Sequence, residues 1–228
     1  MKRYNNNIES YDKIKEYTVI DAVDLLHNFK RPKFDESIDL SISLGVDPKH
    51  ADQIVRGTVI MPNGTGKNVK VVVITKDDEK IKEAQDLGAL EAGHEDLLKK
   101  INKGWLDFDV MIATPDMMAE VGKLGRVLGP RGLMPNPKIG TVTNDVSKAV
   151  NEVMAGKVEF RVDKDGNIGV SVGKLSFEKK KLTENIITCM NAILKAKPAA
   201  VKGIYFKKLI ISSTMSPGIK IDKSEFLS

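Results

Sequence analysis

Histidines, cysteine and carboxylates are the side chains that most often carry chemistry, and in this chain none of them is spaced for it. The three histidines, His27, His50 and His94, fall in separate segments, so no imidazoles stand together at metal-ligand spacing. The single cysteine, Cys189, lies among Ile186, Ile187, Met190 and Ile193, where it reads as a small buried hydrophobe. Gly64-Thr65-Gly66-Lys67 looks like a phosphate loop but lacks the glycine required at Met61 and the hydroxyl required at Asn68, and it precedes a strand, not a helix. Asp77-Asp78-Glu79 marks a helix start, where acids favour the macrodipole. No serine, cysteine or lysine sits beside a base in a nucleophile motif. The expectation is a protein without metal, cofactor or catalysis.

Three other constellations fit binding. Residues 122–141, GKLGRVLGPRGLMPNPKIGT, hold five glycines, three prolines and four basic residues with no acid. Glycine admits φ > 0 and close backbone approach, and proline fixes φ and removes a donor, so the segment reads as a stiff surface loop. Arg126, Arg131 and Lys138 make that loop cationic, as a structured linker or as a contact to a polyanion or a protein. The other two are Lys33-Phe34-Asp35-Glu36-Ser37 and Ser212-Ser213-Thr214-Met215-Ser216-Pro217-Gly218, polar stretches with one large apolar side chain each. Hydroxyls and backbone groups can read 2′-hydroxyls and base edges of RNA while Phe or Met packs on an exposed face. Strand ends with a core anchor fit these stretches equally.

The elements that must position these residues follow from periodicity. Residues 19–30 read as a helix, with Asp21 as cap, Ile20, Val23, Leu25 and Leu26 on one stripe, and Pro32 beyond. Residues 37–44 alternate strictly, Ile38, Leu40, Ile42 and Leu44 against Ser37, Asp39, Ser41 and Ser43, as a half-buried strand does, and residues 54–61 look like its neighbour. After the turn cluster at 62–67 the pattern changes to βαβ: strand 69–74, helices 77–87 and 94–103, strand 108–113, a helix start at 115–121 and helix 146–154. Alternation returns in a hairpin of 158–162 and 168–172 about Asp165-Gly166. An amphipathic helix through Leu182, Ile186, Met190, Ile193 and Leu194 and a final strand at 204–211 complete the chain.

The fold class predicted is therefore mixed α/β (α+β) with two domains: residues 1–66 plus 158–228 as a discontinuous antiparallel α+β domain, and residues 67–157 as an inserted three-layer Rossmann-like α/β domain. Linkers at Gly64, Gly66 and Gly156 would act together as a hinge. The net charge of +5 is unevenly placed: residues 67–157 carry 14 basic and 14 acidic groups, whereas 158–228 carry 13 basic against 7 acidic. A basic excess confined to the outer segments suits polyanion binding, and Arg161 and Lys164 in the hairpin are charge-based candidates for it. The lone cysteine, an N-terminus (MKRYNNN) without an apolar core, and apolar runs too short for a bilayer read as a soluble protein of a reducing, cytoplasmic compartment with no membrane partner.

The segment 122–141, with Lys33-Phe34-Asp35-Glu36, Pro62-Asn63-Gly64-Thr65-Gly66, residues 191–197 and Ser213-Thr214-Met215, closely resembles the bacterial form of the family of ribosomal protein one of the large subunit. The resemblance runs over nearly the entire chain. It implies a structural RNA-binding protein, monomeric off the ribosome, whose discontinuous domain binds large-subunit (23S) rRNA at a mobile stalk. There it would assist release of deacylated tRNA from the exit site, and on the leader of its own operon mRNA it would act as a translational repressor. The resemblance places the rRNA contacts on Lys33, Phe34, Glu36, Ser37, Thr214, Met215 and Ser216, and gives the basic loop a role as secondary RNA contact or interdomain loop. Ser216 departs from the family's usual glycine after Thr-Met, which puts the close backbone approach at that position in question.

Overall fold

The structure, a computed structural model, describes residues 2–201 and 203–226, so the extreme ends of the outer segments and Lys202 lie outside the described residues. Along the chain run α1 (Lys2–Glu9), α2 (Val19–Asn28), β1 (Ser37–Leu44), β2 (Arg56–Ile60), β3 (Val71–Ile74), α3 (Asp78–Asp86), β4 (Glu91–Gly93), α4 (Glu95–Asn102), β5 (Val110–Ala113) and α5 (Met118–Lys123). There follow α6 (Gly125–Leu128), α7 (Val146–Met154), β6 (Lys157–Arg161), β7 (Asn167–Lys174), α8 (Lys179–Lys195), β8 (Phe206–Ser213) and β9 (Ile219–Lys220). Backbone proximity gathers these into two compact units, Met1–Gly66 with Gly156–Ser228, and Lys67–Ala155.

The first unit is built on a four-stranded antiparallel sheet of order β7-β1-β8-β9. Its inner face follows the alternation read from sequence: Ile38, Leu40, Ile42 and Leu44 of β1 are buried with Ile168, Val170 and Val172 of β7 and Leu209 and Ile211 of β8. Helices α2 and α8 close this core, α8 contributing Leu182, Ile186, Cys189, Met190 and Ile193. Thr18, not Asp21, caps α2, its hydroxyl accepting from the Asp21 N–H at 3.1 Å. The helix begins at Val19 as expected, but Val19, Ala22, Val23 and Leu26 face the core, and Ile20, expected on the buried stripe, is 63% exposed.

Three strand expectations are corrected. Residues 54–61 are not the neighbour of β1, because β7 and β8 already occupy both of its edges; β2 instead pairs with β6 in a separate ladder from Arg56↔Arg161 to Ile60↔Lys157. Gly57 permits that ladder, since a Cβ there would lie 2.7 Å from Cζ of Phe160, its partner. The stretch 158–172 turns tightly but is no hairpin. The Asp163 N–H donates to Asn167 O at 2.8 Å and its carboxylate accepts from the Asp165 and Asn167 N–H groups, yet β6 and β7 then leave for different sheets. Those N–H donors hold the Asp163 carboxyl below its ordinary range, Asn167 first. Finally, β8 is not the last strand, since β9 pairs onto it beyond Gly218.

The second unit has a parallel sheet of order β4-β3-β5. Val71, Val72, Val73 and Ile74 are all fully buried because both faces are covered. Val72, Ile74, Met111 and Ala113 meet Leu97, Ile101, Leu124 and Leu128 on one side, while Val71, Val73 and Ile112 meet Ala84, Val146, Val150 and Val153 on the other. β4, three half-buried residues long, is too short to carry a period in sequence. The segment 122–141 is more helical than a loop: α5 runs to Lys123, α6 follows, and 3₁₀ turns span Gly129–Arg131 and Pro137–Ile139. Leu124 and Leu128, four apart, bury into the sheet's cluster and anchor these turns, with only Gly132 and Gly140 of its five glycines left-handed.

Candidate nucleic-acid interface

Antiparallel pairing brings three strand ends to one edge of the first unit. The start of β1 meets the end of β8 at Ile38↔Ser213 and the end of β7 at Ser37↔Lys174. The two polar stretches singled out in the sequence, more than 170 residues apart, thereby become neighbours. The Ser37 N–H donates to Thr214 Oγ1 at 3.2 Å and the Thr214 N–H to Ser37 O at 3.1 Å. Glu36 is 3% exposed, and its carboxylate accepts from the Met215 N–H at 2.7 Å, a charge-assisted bond that fixes the Thr214-Met215 turn.

Phe34 and Met215 stand 53% and 49% exposed beside this polar ledge, with Lys33 and Thr214 also open to solvent. Two large apolar side chains held outward on a hydrogen-bonded edge offer faces for an unstacked base or sugar. Ser216 has an ordinary negative φ, as every non-glycine residue described here does, and its Oγ accepts from the Ser213 N–H at 2.8 Å. A Cβ is therefore unstrained at that position, and the hydroxyl closes the turn. The third strand end adds residues that sequence reasoning missed. Lys174 Nζ donates to Ser37 Oγ at 2.9 Å, and Ser176 donates through N and Oγ to the Asp35 carboxylate at 3.1 and 2.8 Å. Their signal lay in the pairing of β7 with β1, which no local pattern reveals.

Arg161 and Lys164 are exposed but belong to the other end of the sheet. Asn167 pairs with Ser43 and Lys174 with Ser37, a separation of roughly 20 Å at ~3.3 Å per residue, so they do not join the ledge. With Pro48, Lys49 and Ile54 they line an open cleft of about 700 Å³, and Arg56 pairs with Arg161 across the β2–β6 ladder. Arg126, Arg131 and Lys138 are exposed members of the other compact unit.

Gly64, Gly66 and Gly156 all adopt left-handed φ, of 66°, 69° and 97°. Gly156 lies against Gly64, where an added Cβ would stand 2.8 Å from the Gly64 Cα, and its carbonyl accepts from the Met61 N–H at 3.2 Å. Asn185, fully buried on α8, organises this crossing. Its Nδ2 donates to Gly64 O at 2.9 Å and to Val172 O at 2.8 Å, and its Oδ1 accepts from the Asn63 N–H at 3.2 Å. Sequence reasoning missed this residue, since an asparagine on a helix stripe gives no sign of which backbone groups it will meet.

His27 is held between Val23 O at 2.9 Å and Phe177 O at 3.2 Å. Burial pushes the Cys189 thiol up to about 12. Among the described residues no three His, Cys, Asp or Glu side chains group as a metal site, and no helix is long and apolar enough to cross a membrane.

A mixed α/β chain whose strand ends converge on a hydrogen-bonded polar ledge has the makings of a binding protein. Residues 26–217 match the Ribosomal protein L1p/L10e family, and the chain belongs to it. It is accordingly a structural ribosomal protein, not an enzyme, associated with the ribosome in the cytoplasm. It is 56% identical over 224 residues to the large ribosomal subunit protein uL1 of Protochlamydia amoebophila (strain UWE25), an alignment covering 98% of this chain and 94% of that protein.

Proposed function

We propose that the first unit binds the large-subunit rRNA of a mobile stalk through the ledge of Lys33, Phe34, Glu36, Ser37, Thr214, Met215 and Ser216, joined by Lys174 and Ser176. The observation that carries this reading is the convergence of three strand ends into one edge where hydroxyls, a lysine and two exposed apolar side chains stand together. Such an edge suits shape and 2′-hydroxyl readout better than bulk charge attraction. The same ledge serves the leader of the protein's own operon mRNA, making the protein its own translational repressor. At the far end, Arg161 and Lys164 add a weaker, charge-based contact to RNA, and the stalk so bound assists release of deacylated tRNA from the exit site.

In this reading the chain is a monomer off the ribosome. Residues 1–66 with 158–228 form its RNA-binding domain, 67–157 form an inserted domain, and Gly64, Gly66 and Gly156 form the hinge on which the inserted domain moves. Arg126, Arg131 and Lys138 then provide a secondary contact from the inserted domain.

The test is binding of purified protein to a stalk rRNA fragment and to its operon mRNA leader across a salt series, with an unrelated hairpin as control. Phe34→Ala, removing a stacking face, is expected to weaken both specific RNAs by about tenfold or more, and Thr214→Ala by about fivefold. The specific complexes are expected to show a shallow log–log salt slope. Loss of only one RNA would refute a shared site. Equal affinity for the control hairpin would refute specific recognition.

A further inference from the structure

The N-terminal segment lies outside the ledge, and its residue types give little reason for the helix it contains. α1 is eight residues long and carries Asn5, Asn6 and Asn7 in a row. Asparagine is a poor helix former, and so short a helix does not hold in water by propensity, so its contacts must fix it. Among residues 3–17 only Asn7 is buried, at 3% exposed. Its Nδ2 donates to Lys30 O at 3.3 Å and its Oδ1 accepts from the Lys30 N–H at 3.0 Å, so one side chain grips both backbone groups of one residue. Four residues on, the Tyr11 hydroxyl donates to Gly218 O at 3.0 Å, and the ring packs on Phe29 with centroids 5.6 Å apart. The far end of the segment is pinned to β9: the Tyr17 N–H donates to Lys220 O at 3.0 Å, and Tyr17 O accepts from the Asp222 N–H at 2.8 Å.

The two grips fall at matched places. Lys30 stands three residues before Lys33 with Pro32 between, and Gly218 three residues after Met215 with Pro217 between. Proline fixes φ, so each short link is stiff and carries the position of the gripped backbone to the ledge. The bonds of Ser37 to Thr214 and of Glu36 to Met215 tie the two polar stretches to each other. The grips at Lys30 and Gly218 fix the outer end of each stretch to one common segment. Backbone ordered before a partner arrives spares the cost of ordering it on binding. We propose that Asn7 and Tyr11 are positioning residues: they strap the stretches 33–37 and 212–218 into the geometry in which Phe34 and Met215 present their faces to RNA, without touching RNA themselves. The inference rests on the RNA-binding reading of the ledge and deepens it by naming what holds the site in shape.

The experiment measures the affinity of the full chain for a stalk rRNA fragment, well below the melting temperature of each variant. Asn7→Ala removes both bonds to Lys30 and is expected to weaken binding by about tenfold; Tyr11→Phe removes one hydroxyl, keeps the ring packing, and is expected to weaken it by about threefold. Double-mutant cycles supply the readout that a general loss of stability would not move. Asn7→Ala should couple to Phe34→Ala, and Tyr11→Phe to Met215→Ala, each pair costing about threefold less than the product of its singles, while both strap variants simply multiply with Lys164→Ala at the far end of the sheet. If Phe34→Ala and Met215→Ala weaken binding but the strap variants do not, the positioning role is overturned and the ledge stands. If the strap variants weaken binding but multiply with Phe34→Ala and Met215→Ala too, the segment acts independently of the ledge, and the positioning role is again overturned. If Phe34→Ala and Met215→Ala leave binding unchanged, the ledge reading falls and this inference with it. Should Asn7→Ala fail to fold in a thermal melt, the cycle of Tyr11 with Met215 decides alone.

Discussion

Replacing Asn185 by leucine should destabilise the first unit far more than the small change in side-chain volume suggests. Besides a long bond from Asn63 Nδ2 at 3.4 Å, the amide makes three bonds that leucine cannot: to Gly64 O at 2.9 Å, to Val172 O at 2.8 Å and from the Asn63 N–H at 3.2 Å. Val172 and Asn185 are both fully buried, so the Val172 carbonyl loses its side-chain bond where water cannot replace it. Gly64 and Asn63 are half-buried and regain part of theirs. Charging about 1–2 kcal/mol for Val172 and about 0.5–1 kcal/mol for each of the others gives a loss of roughly 2–4 kcal/mol. At about 2–4 °C per kcal/mol for a unit of this size, the melting temperature should fall by roughly 4–16 °C. The assay is urea unfolding followed by tyrosine signal, because Tyr4, Tyr11, Tyr17 and Tyr205 all lie in this unit. A change under about 0.5 kcal/mol, with the urea slope unaltered, would show that the three bonds contribute nothing net and refute the reasoning.

Trp105, the only tryptophan, lies in the other unit, so tryptophan and tyrosine signals should report separate unfolding midpoints if residues 67–157 fold as a domain of their own; coincident midpoints for wild type and Asn185→Leu would count against it. Gly156→Ala combines a left-handed φ of 97° with a Cβ 2.8 Å from the Gly64 Cα, and should cost about 2 kcal/mol or more by thermal melt, whereas Gly169→Ala, with open space about its Cβ, should cost under about 1 kcal/mol. Burial pushes both the Cys189 thiol and the Tyr205 phenol up to about 12, from ordinary values of 9.0 and 10.0. Between about pH 9 and 12 the unfolded chain has released protons that the native state keeps, so the contribution of these two groups should be level from about pH 6 to 8 and stability should then fall with rising pH, by up to about 1.4 kcal/mol per unit for each group, as read by urea midpoints. A thiol-reactive chromophore at pH 8 should label Cys189 only as fast as the first unit opens, and prompt labelling of the native protein would contradict that burial.

The strongest local signals in the sequence were also the ones the fold followed most closely. The strict alternation of 37–44 became β1 with its four apolar residues buried, and the β-branched run ending at Ile74 became a strand covered on both faces. Such patterns are legible because a single period decides which face is buried. Where two solutions share one period, the sequence was silent. Residues 54–61 and 158–172 alternate as any strand does, and nothing local says that β2 takes β6 while β7 takes β1. Residues 122–141 misled in another way: glycine and proline content argued for a loop, yet burial of Leu124 and Leu128 outweighed propensity and wound the segment into helical turns.

The candidate site divides along the same line. The residue types at 33–37 and 212–218, hydroxyls and a lysine beside one exposed apolar group, were determined by sequence alone, as were the absence of any nucleophile motif and the basic excess of the outer segments. Only the tertiary structure decided that Ser37 meets Thr214, that Glu36 is buried against the Met215 N–H, that Lys174 and Ser176 join them, and that Arg161 and Lys164 lie at the opposite end of the sheet. The physical reason is that side-chain chemistry and periodicity are properties of neighbours along the chain, whereas a site assembled from three strand ends depends on register, and register is set by the competition of all strands for one another's edges.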